Sequence, residues 1–283
     1  MRFLLYAGGV LLASCAVAQT VIVDAAADRH RIDPRIYGVA FATAAQLSDL
    51  NVPTNRWGGN TTTRYNWQSN ASNHAQDWYF ESIGEDSGIA GDSADKFIAD
   101  AKSAGADAIM TIPTIGWAAQ LGANRARLAS FSVAKYGAQQ STDPFMPDAG
   151  NGVRPDGSLI TGNDPHDANM AVDAQFQAAW IRHMSGVRYY ALDNEPSLWH
   201  ATHRDVHPEG ARMDEIAKKM VDYARTIKSI DGNAIVLGPE EWGWPGYFFS
   251  GYDQQWADAH GWSSFLIAMH TEVVNTFHIC SSR

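Results

Sequence analysis

The chain has 283 residues, 18% of them charged and 11% aromatic, and its formal net charge at pH 7 is -10. This acidity argues against nucleic acid as a ligand, because binding to phosphate backbones rests on clustered Lys and Arg. The two cysteines, Cys15 and Cys280, leave no disulfide in a chain cut after Ala18, so a core must supply the stability. The remaining length fits one large domain, such as a (β/α) barrel of ~250 residues.

The first 18 residues predict a secretory signal peptide. Arg2 gives a positive start, an apolar run follows, and Ala16-Val17-Ala18 is a small-residue cleavage site. The apolar run is shorter than the ~20 residues that a membrane-spanning helix needs, so we expect an exported protein, extracellular or periplasmic. The run Leu12-Ala13-Ser14-Cys15 also resembles a bacterial lipoprotein box. In that alternative a lipid on Cys15 would anchor the protein to a membrane.

Short apolar runs alternate with amphipathic helices along the exported chain. Ser93 is a candidate cap for a first helix that Gly105 ends, and apolar residues at four-residue steps from Val172 to Met184 predict a second. A third helix, at about residues 213–227, has the clearest apolar face. Between residues 118 and 167 the periodicity fades into a long polar insertion, which is typical of a functional loop. Strand candidates lie at residues 21–24, 35–41, 53–57, 107–115, 187–192 and 234–237.

This alternation predicts a parallel α/β architecture, which we interpret as an incomplete (β/α)8 TIM-like barrel with about five to six strands present. Three of the strands end in polar or aromatic clusters, and in a barrel all such ends face the same way. An open doubly wound sheet is the alternative, but the first strand is not followed by a glycine-rich phosphate loop. The clusters are Gly116-Trp117, Asn194-Glu195 and Glu240-Glu241-Trp242.

Glu195, in the run Leu192-Asp193-Asn194-Glu195-Pro196, is the candidate proton donor. Glycoside cleavage needs one carboxylic acid to protonate the departing oxygen and a second carboxylate to attack the anomeric carbon or activate water. A Glu directly after a buried strand is poorly solvated, which favours the protonated form. Asn194 can hydrogen-bond a sugar hydroxyl beside the scissile bond. A Glu in this position also serves as a helix-dipole or salt-bridge residue, so its place at a barrel-like strand end carries the prediction.

A longer pattern follows the third strand candidate, in the run from Asn55 to Thr61 (NRWGGNT) and the run from Arg64 to Trp67 (RYNW). Together with 77–81, 146–152, 162–165, 193–196 and 238–244, these runs resemble the glycoside hydrolase family 44 endoglucanases and xyloglucanases over about residues 20–264. The resemblance implies a retaining β-1,4-glucanase, a barrel, and a small β-sandwich to which the N-terminal strand belongs. It makes Glu195 the general acid/base and puts Trp57, Asn60 and Trp67 near the glycone side of the cleft.

The predicted substrate-binding residues are Asn194, Trp57, Asn60, Trp67, Trp117, Glu240, Trp242 and Trp244. Aromatic faces on loops suit the apolar faces of sugar rings, although core packing is an alternative for each Trp. Glu240 and Glu241 end the strand that follows Glu195, so a role as the second carboxylate is conceivable. We favour instead that they bind sugar hydroxyls or orient Glu195.

The departure from the family concerns the nucleophile, a glutamate that the family carries on its seventh barrel strand. Only about five strands precede residue 238 here, and residues 265–283 fit no pattern of the family. We interpret residues 1–18 as a signal peptide, 19–264 as a partial glycoside hydrolase barrel domain and 265–283 as an aberrant tail of a truncated or frame-shifted product. Such a chain is expected to be inactive or nearly so.

No cofactor is expected, but a structural calcium ion is a further hypothesis, since the insertion is rich in the oxygen ligands that calcium prefers. Its candidate ligands are Asp148, Asp156, Asn163 and Asp164, and solvated turns are the alternative explanation. The histidines are scattered without zinc-site spacing, which predicts surface positions for them. Two rival functions stay open: a non-catalytic glucan-binding remnant, and a metal-dependent barrel hydrolase of another class.

Overall fold

The computed structural model describes Asp24, Ala26, Ala27 and residues 29–256. The predicted signal peptide, the lipoprotein alternative at Cys15 and the predicted tail at 265–283 therefore lie outside the described residues, as does most of the strand predicted at 21–24. The chain divides after Asp33 into two units, and the fold given below is that of the second. The small β-sandwich stays a prediction.

The second unit is built from short strands and helices that alternate along the chain. Its strands are β1 (Gly38–Ala40), β2 (Thr54–Trp57), β3 (Ala71–Asn73), β4 (Glu81–Gly84), β5 (Asp107–Ile112), β6 (Trp117–Ala119), β7 (Leu128–Ala129), β8 (Thr142–Asp143), β9 (Met146–Gly150), β10 (Asn169–Ala171), β11 (Tyr189–Leu192) and β12 (Ile235–Leu237). Its α-helices are α1 (Ala44–Leu50), α2 (Asp92–Ser103), α3 (Val133–Tyr136), α4 (Ala174–His183), α5 (Trp199–Thr202), α6 (Met213–Ile230), α7 (Trp244–Phe248) and α8 (Gly251–Gln255).

Five parallel strands form the central sheet, in the order β1-β2-β5-β11-β12. This order repeats the order along the chain, as a (β/α) barrel requires and a doubly wound sheet does not. The register aligns Trp57 with Met110 and Ile112 with Leu192, so the carboxyl ends of β2, β5 and β11 lie side by side. Within residues 34–256 the sheet is open, with β1 and β12 at its edges, and closure into an eight-stranded barrel stays a prediction.

The helices bury the sheet as their periodicity predicts. On α6, Ile216, Met220, Ala224 and Ile227 are buried, and α6 packs against α4. No helix in the described part of the chain is long and apolar enough to cross a membrane. The predicted cap of α2 is wrong: the helix begins at Asp92, and Ser93 lies in its first turn. The backbone N–H of Ser93 donates to the Asn70 side chain instead, at 3.3 Å.

The long polar insertion is more ordered than the sequence predicts. It contributes β6, which pairs with β10, β7, which joins β3 and β4 in a small sheet, and the hairpin of β8 and β9. These strands have two to five residues, too few for an alternating pattern to be visible. A second apolar core of Phe80, Phe131 and Ile160 lies beneath them, with the Arg204 guanidinium over both Phe rings.

Candidate functional site

The proposed proton donor lies at the carboxyl end of the central sheet, where the chain leaves β11. Asp193 and Glu195 both have left-handed backbone conformations, with φ of 61° and 47°. The Glu195 N–H donates to the Glu240 carbonyl at 2.7 Å, which ties the end of β11 to the end of β12. The Glu195 side chain is half-buried. The tight turn therefore presents this carboxyl at the strand ends, as the sequence predicts.

Asp193 is the buried anchor of this turn. One carboxylate oxygen accepts hydrogen bonds from the backbone N–H and hydroxyl of Thr114 and from the N–H of Ile115. The other accepts from the Thr63 hydroxyl at 2.7 Å and from the Asn194 N–H at 2.8 Å. Burial raises the pKa of Asp193, and these hydrogen bonds oppose that shift. One side chain thus connects the segments that follow β2, β5 and β11.

A chain of polar contacts crosses the strand ends beside Glu195. The Arg56 guanidinium donates to the side-chain carbonyl oxygen of Asn194 at 2.8 Å and forms an ion pair with Glu240 at 2.5 Å. The Asn194 amide donates to Asn60 at 3.2 Å, and the Asn60 amide donates to both carboxylate oxygens of Asp77. Asn194, Asn60 and Glu240, all predicted as site residues, are therefore brought together.

The two carboxylates at the end of β12 are held by different partners. Burial raises the pKa of Glu240, and the Arg56 guanidinium opposes the shift. Burial also raises the pKa of Glu241 to about 7, with a smaller contribution from Glu195, although the Ser197 hydroxyl donates to Glu241 at 2.6 Å. Among the described residues, no side chain or backbone group forms a hydrogen bond or an ion pair with the Glu195 carboxyl. Glu195 is thus available to a ligand, whereas its neighbours are engaged.

Gly58 leaves room for the guanidinium that organises the cluster. A Cβ at this position would overlap the guanidinium of Arg56. We therefore expect Gly58→Ala to displace Arg56 from Glu240 and to lower the free energy of unfolding by about 1–2 kcal/mol, measured by urea denaturation. Gly232→Ala, where a Cβ meets no atom within 4 Å, is the matched control.

A double-mutant cycle identifies the cause of that loss. If the overlap with Arg56 is responsible, Gly58→Ala will cost less in an Arg56→Met background. An equal cost in both backgrounds would contradict the explanation.

Trp57 and Trp67, two of the predicted substrate-binding residues, pack against other parts of the protein. Trp57 is only 8% exposed and packs against Phe41, Tyr65 and Phe97, because its position in β2 points it into the core. Trp57 also lines a cavity of about 300 Å³. Trp67 packs on α4, where its indole N–H donates to the Phe176 carbonyl at 3.2 Å. A role for either side chain in substrate binding stays a prediction.

The remaining predicted aromatic residues differ in exposure. Trp117, in β6, is half-buried with its ring edge-on to His166, at 5.1 Å between the centroids. Trp242 is 44% exposed and Trp244 is 75% exposed, and the Trp244 ring stacks on Phe248. Trp242 directly follows Glu241 and Trp244 lies two residues further on, so both are close in sequence to the carboxylates at the end of β12. Their role in binding also stays a prediction.

The residues of the predicted calcium site do not form one ligand set. Asp148 accepts from Ser132 and from the N–H of Ala134, so it holds the start of α3. Asp156 and Asp164 accept from groups two residues further along the chain, and the Asn163 amide donates to a backbone carbonyl. Among the described residues, no three His, Cys, Asp or Glu side chains form a group that could hold a metal ion. Calcium binding stays a prediction.

The expectation that every histidine lies at the surface is wrong for His203. Its side chain is completely buried, and neither ring nitrogen has a hydrogen-bond partner in the described part of the chain. This burial lowers the pKa of His203 well below its usual value, and the charge of Arg64 adds to the effect. His203 directly follows the short helix α5, and the local sequence carries no signal that this side chain would be buried.

The sequence did not single out Arg56, Asp193 or Asp77 as site residues. Arg56 had a usable signal, because a charged residue inside a strand whose other residues are buried needs a partner. Asp193 also had one, since an acidic residue between an apolar strand and a turn must find donors. Asp77 had none, because its link to Asn60 depends on how two separate loops pack.

Comparisons with known proteins agree with this geometry. The family model for glycoside hydrolase family 44 matches residues 71–272. The solved structure of CelM2, described as a bifunctional glucanase-xylanase from a metagenome library, is 57% identical with a TM-score of 0.81, over 86% of this chain and 49% of CelM2. Endoglucanase A of Paenibacillus lautus is 26% identical, over 92% of this chain and 37% of its own length.

Beta-mannanase/endoglucanase A of Caldicellulosiruptor saccharolyticus is also 26% identical, over 89% of this chain and 19% of that protein. The chain therefore spans half or less of the length of each of these three proteins. The family match itself extends over more than half of this chain, and it contains Glu195, Glu240 and Glu241. The chain belongs to glycoside hydrolase family 44.

Proposed function

We propose that this chain contributes the acid/base part of a retaining endo-β-1,4-glucanase or xyloglucanase site, with Glu195 as the proton donor. The observation that carries the proposal is the position of Glu195 at the carboxyl end of β11, on a turn whose other polar groups are already engaged. A carboxyl group without a protein partner can protonate the oxygen of a leaving sugar and later accept a proton from water.

Asn194 supports this assignment because both ends of its amide are fixed. Its carbonyl oxygen accepts from Arg56 and its NH₂ group donates to Asn60. An amide in a fixed orientation can offer a hydrogen bond to a sugar hydroxyl beside the scissile bond, and such bonds strengthen in the transition state. Arg56 and Glu240 then act as positioning residues.

A retaining mechanism also needs a second carboxylate, ~5–5.5 Å from the first. We propose that neither Glu240 nor Glu241 supplies it, because the first is paired with Arg56 and the second accepts from Ser197. The described residues then hold one half of the catalytic pair. We therefore expect the 283-residue chain alone to bind β-glucan and to release reducing ends at least about a thousandfold more slowly than a site with both carboxylates.

The relatives suggest the class of substrate. Their names describe endoglucanase, glucanase-xylanase and mannanase activities, all directed at β-linked polysaccharides. A solved family 44 structure, 23% identical, has xyloglucan bound. Exposed Trp242 and Trp244 beside Glu241 offer flat apolar faces of the kind that pack on sugar rings. An exported protein, as the first residues predict, would meet such polymers outside the cell.

Affinity electrophoresis tests the substrate class directly. We expect migration of the 283-residue protein to be retarded in gels that contain xyloglucan or mixed-linkage β-glucan, and to be normal in gels that contain the α-linked polymer dextran. Equal migration in all gels would contradict the proposal. Turnover that a chelator abolishes, together with zinc retained by the purified protein, would favour the rival metal-dependent hydrolase.

A further inference from the structure

A second cavity lies next to the polar residues at the strand ends, because Asp77, which bonds to Asn60, is part of its wall. It has a volume of about 410 Å³, and its walls include Gln76, Asp77, Trp78, Tyr79, Asn151 and Leu159. This volume lies within the ~300–1,000 Å³ that is usual for small-molecule sites. The walls combine amide and carboxylate groups with aromatic side chains, which is the mixture that a sugar, apolar on its faces and polar at its rim, requires.

Hydrogen bonds connect this cavity to Asn194, the residue that precedes the proposed proton donor. Asp77, in the cavity wall, accepts from the Asn60 amide at 3.2 and 3.1 Å. Asn60 in turn accepts from Asn194 at 3.2 Å, and Asn194 precedes Glu195. A chain of two hydrogen-bonded contacts therefore runs from the cavity to the residue beside the acid/base. A polymer seated at Glu195 and extending past Asn194 would reach the cavity.

Buried charged residues lie beside the aromatic wall. The Trp78 side chain is close to the Asp143 carboxylate and stays 36% exposed. Asp143 and Glu81 are completely buried, and the Arg127 guanidinium lies 3.6 Å from each. A ring that already packs against its neighbours loses little further freedom when a ligand packs on it, which favours binding. The Tyr79 ring meets Trp78 edge-on, at 5.4 Å between the centroids.

From this geometry we infer that the Trp78 cavity binds a β-linked glucosyl unit of a polymer that extends past Asn194, at a distance from Glu195 that a disaccharide does not span. The inference rests on the proposed function and deepens it. Trp78 is then a specificity-determining residue that favours longer chains.

Isothermal titration with cellobiose and cellotetraose tests the inference without requiring turnover. We expect Trp78→Ala to weaken the binding of cellotetraose about tenfold and to leave the binding of cellobiose unchanged within about twofold. Trp78→Phe, which keeps an aromatic face, should retain most of the affinity for cellotetraose. Trp256→Ala is the matched control, since Trp256 is 51% exposed and does not line this cavity.

The outcomes separate this inference from the proposed function. If the wild type binds cellotetraose and Trp78→Ala binds it equally well, the cavity site is wrong and the proposed function stands. If Trp78→Ala weakens both ligands to the same extent, Trp78 contacts the sugars nearest Glu195 and the distal assignment is wrong. If the wild type binds neither oligosaccharide, the proposed function is wrong and this inference is wrong with it.

Discussion

Replacing Glu195 by Gln should abolish acid-assisted cleavage of aryl β-cellobiosides when formate is supplied as an external nucleophile. Formate attacks the anomeric carbon, the bond to the aryl oxygen breaks, and that oxygen takes the proton of Glu195. With phenyl β-cellobioside, whose leaving group needs the proton, we expect Glu195→Gln to release phenol about a hundredfold to ten-thousandfold more slowly than the wild type. The measurement is the rate of phenol release, which chromatography quantifies.

The leaving group provides the internal control. Dinitrophenolate leaves without protonation, so Glu195→Gln and the wild type should cleave dinitrophenyl β-cellobioside at similar rates. Glu209→Gln changes an exposed carboxylate and should leave both rates unaltered. An equal loss with both aryl groups would indicate damage to binding or folding, and a wild type that cleaves neither would contradict the acid/base assignment. The glucan-binding remnant predicts this last result together with retained binding.

The largest loss of stability is expected from Asp193→Asn. The completely buried Asp193 carboxylate accepts five hydrogen bonds, and three of the donors are backbone N–H groups. An amide would direct its own N–H group at some of these donors and leave them unpaired. We expect the free energy of unfolding to fall by about 3–5 kcal/mol, measured by urea denaturation monitored by tryptophan fluorescence.

Two further variants calibrate that loss. Thr63→Val removes one hydrogen bond to Asp193 with little change in volume and should cost about 1 kcal/mol. Asp156→Asn changes an exposed carboxylate that contacts only its own turn, and should stay within about 0.5 kcal/mol of the wild type. If Asp193→Asn unfolds at the same urea concentration as Asp156→Asn, Asp193 is not the anchor of the turn.

The parts of the fold that have a clear period were predictable. α6 was found because its apolar residues recur at helical spacing over 18 residues. Most strands of the central sheet were found as apolar runs bounded by turn residues, whereas β2 was found as an extended segment that ends in Gly58-Gly59. β6 to β9 were missed, because strands of two to five residues that pair locally leave no such period. The start of α2 was misplaced because the N–H of Ser93, in the first turn, bonds to the side chain of Asn70, which lies far away in the chain.

The site was predictable where position at a strand end was the signal. Asn194 and Glu195 follow the buried strand β11 and Glu240 follows the half-buried strand β12, and the N–H of Glu195 bonds to the Glu240 carbonyl. The tryptophans were harder, because neighbouring Gly and Asn residues suggest a loop but do not say which way a ring points. Trp57 alternates with half-buried Arg56 along β2, and this alternation turns the indole into the core.

The left-handed turn at Glu195 limits how the proposed catalyst can move. Its N–H is bonded to the Glu240 carbonyl and Pro196 follows it, and both restrict rotation of the backbone at this position. A retaining reaction asks the same carboxyl to give a proton in one step and to take one from water in the next. We therefore expect Glu195 to serve both steps mainly by rotation about its side-chain bonds, because its backbone is restrained.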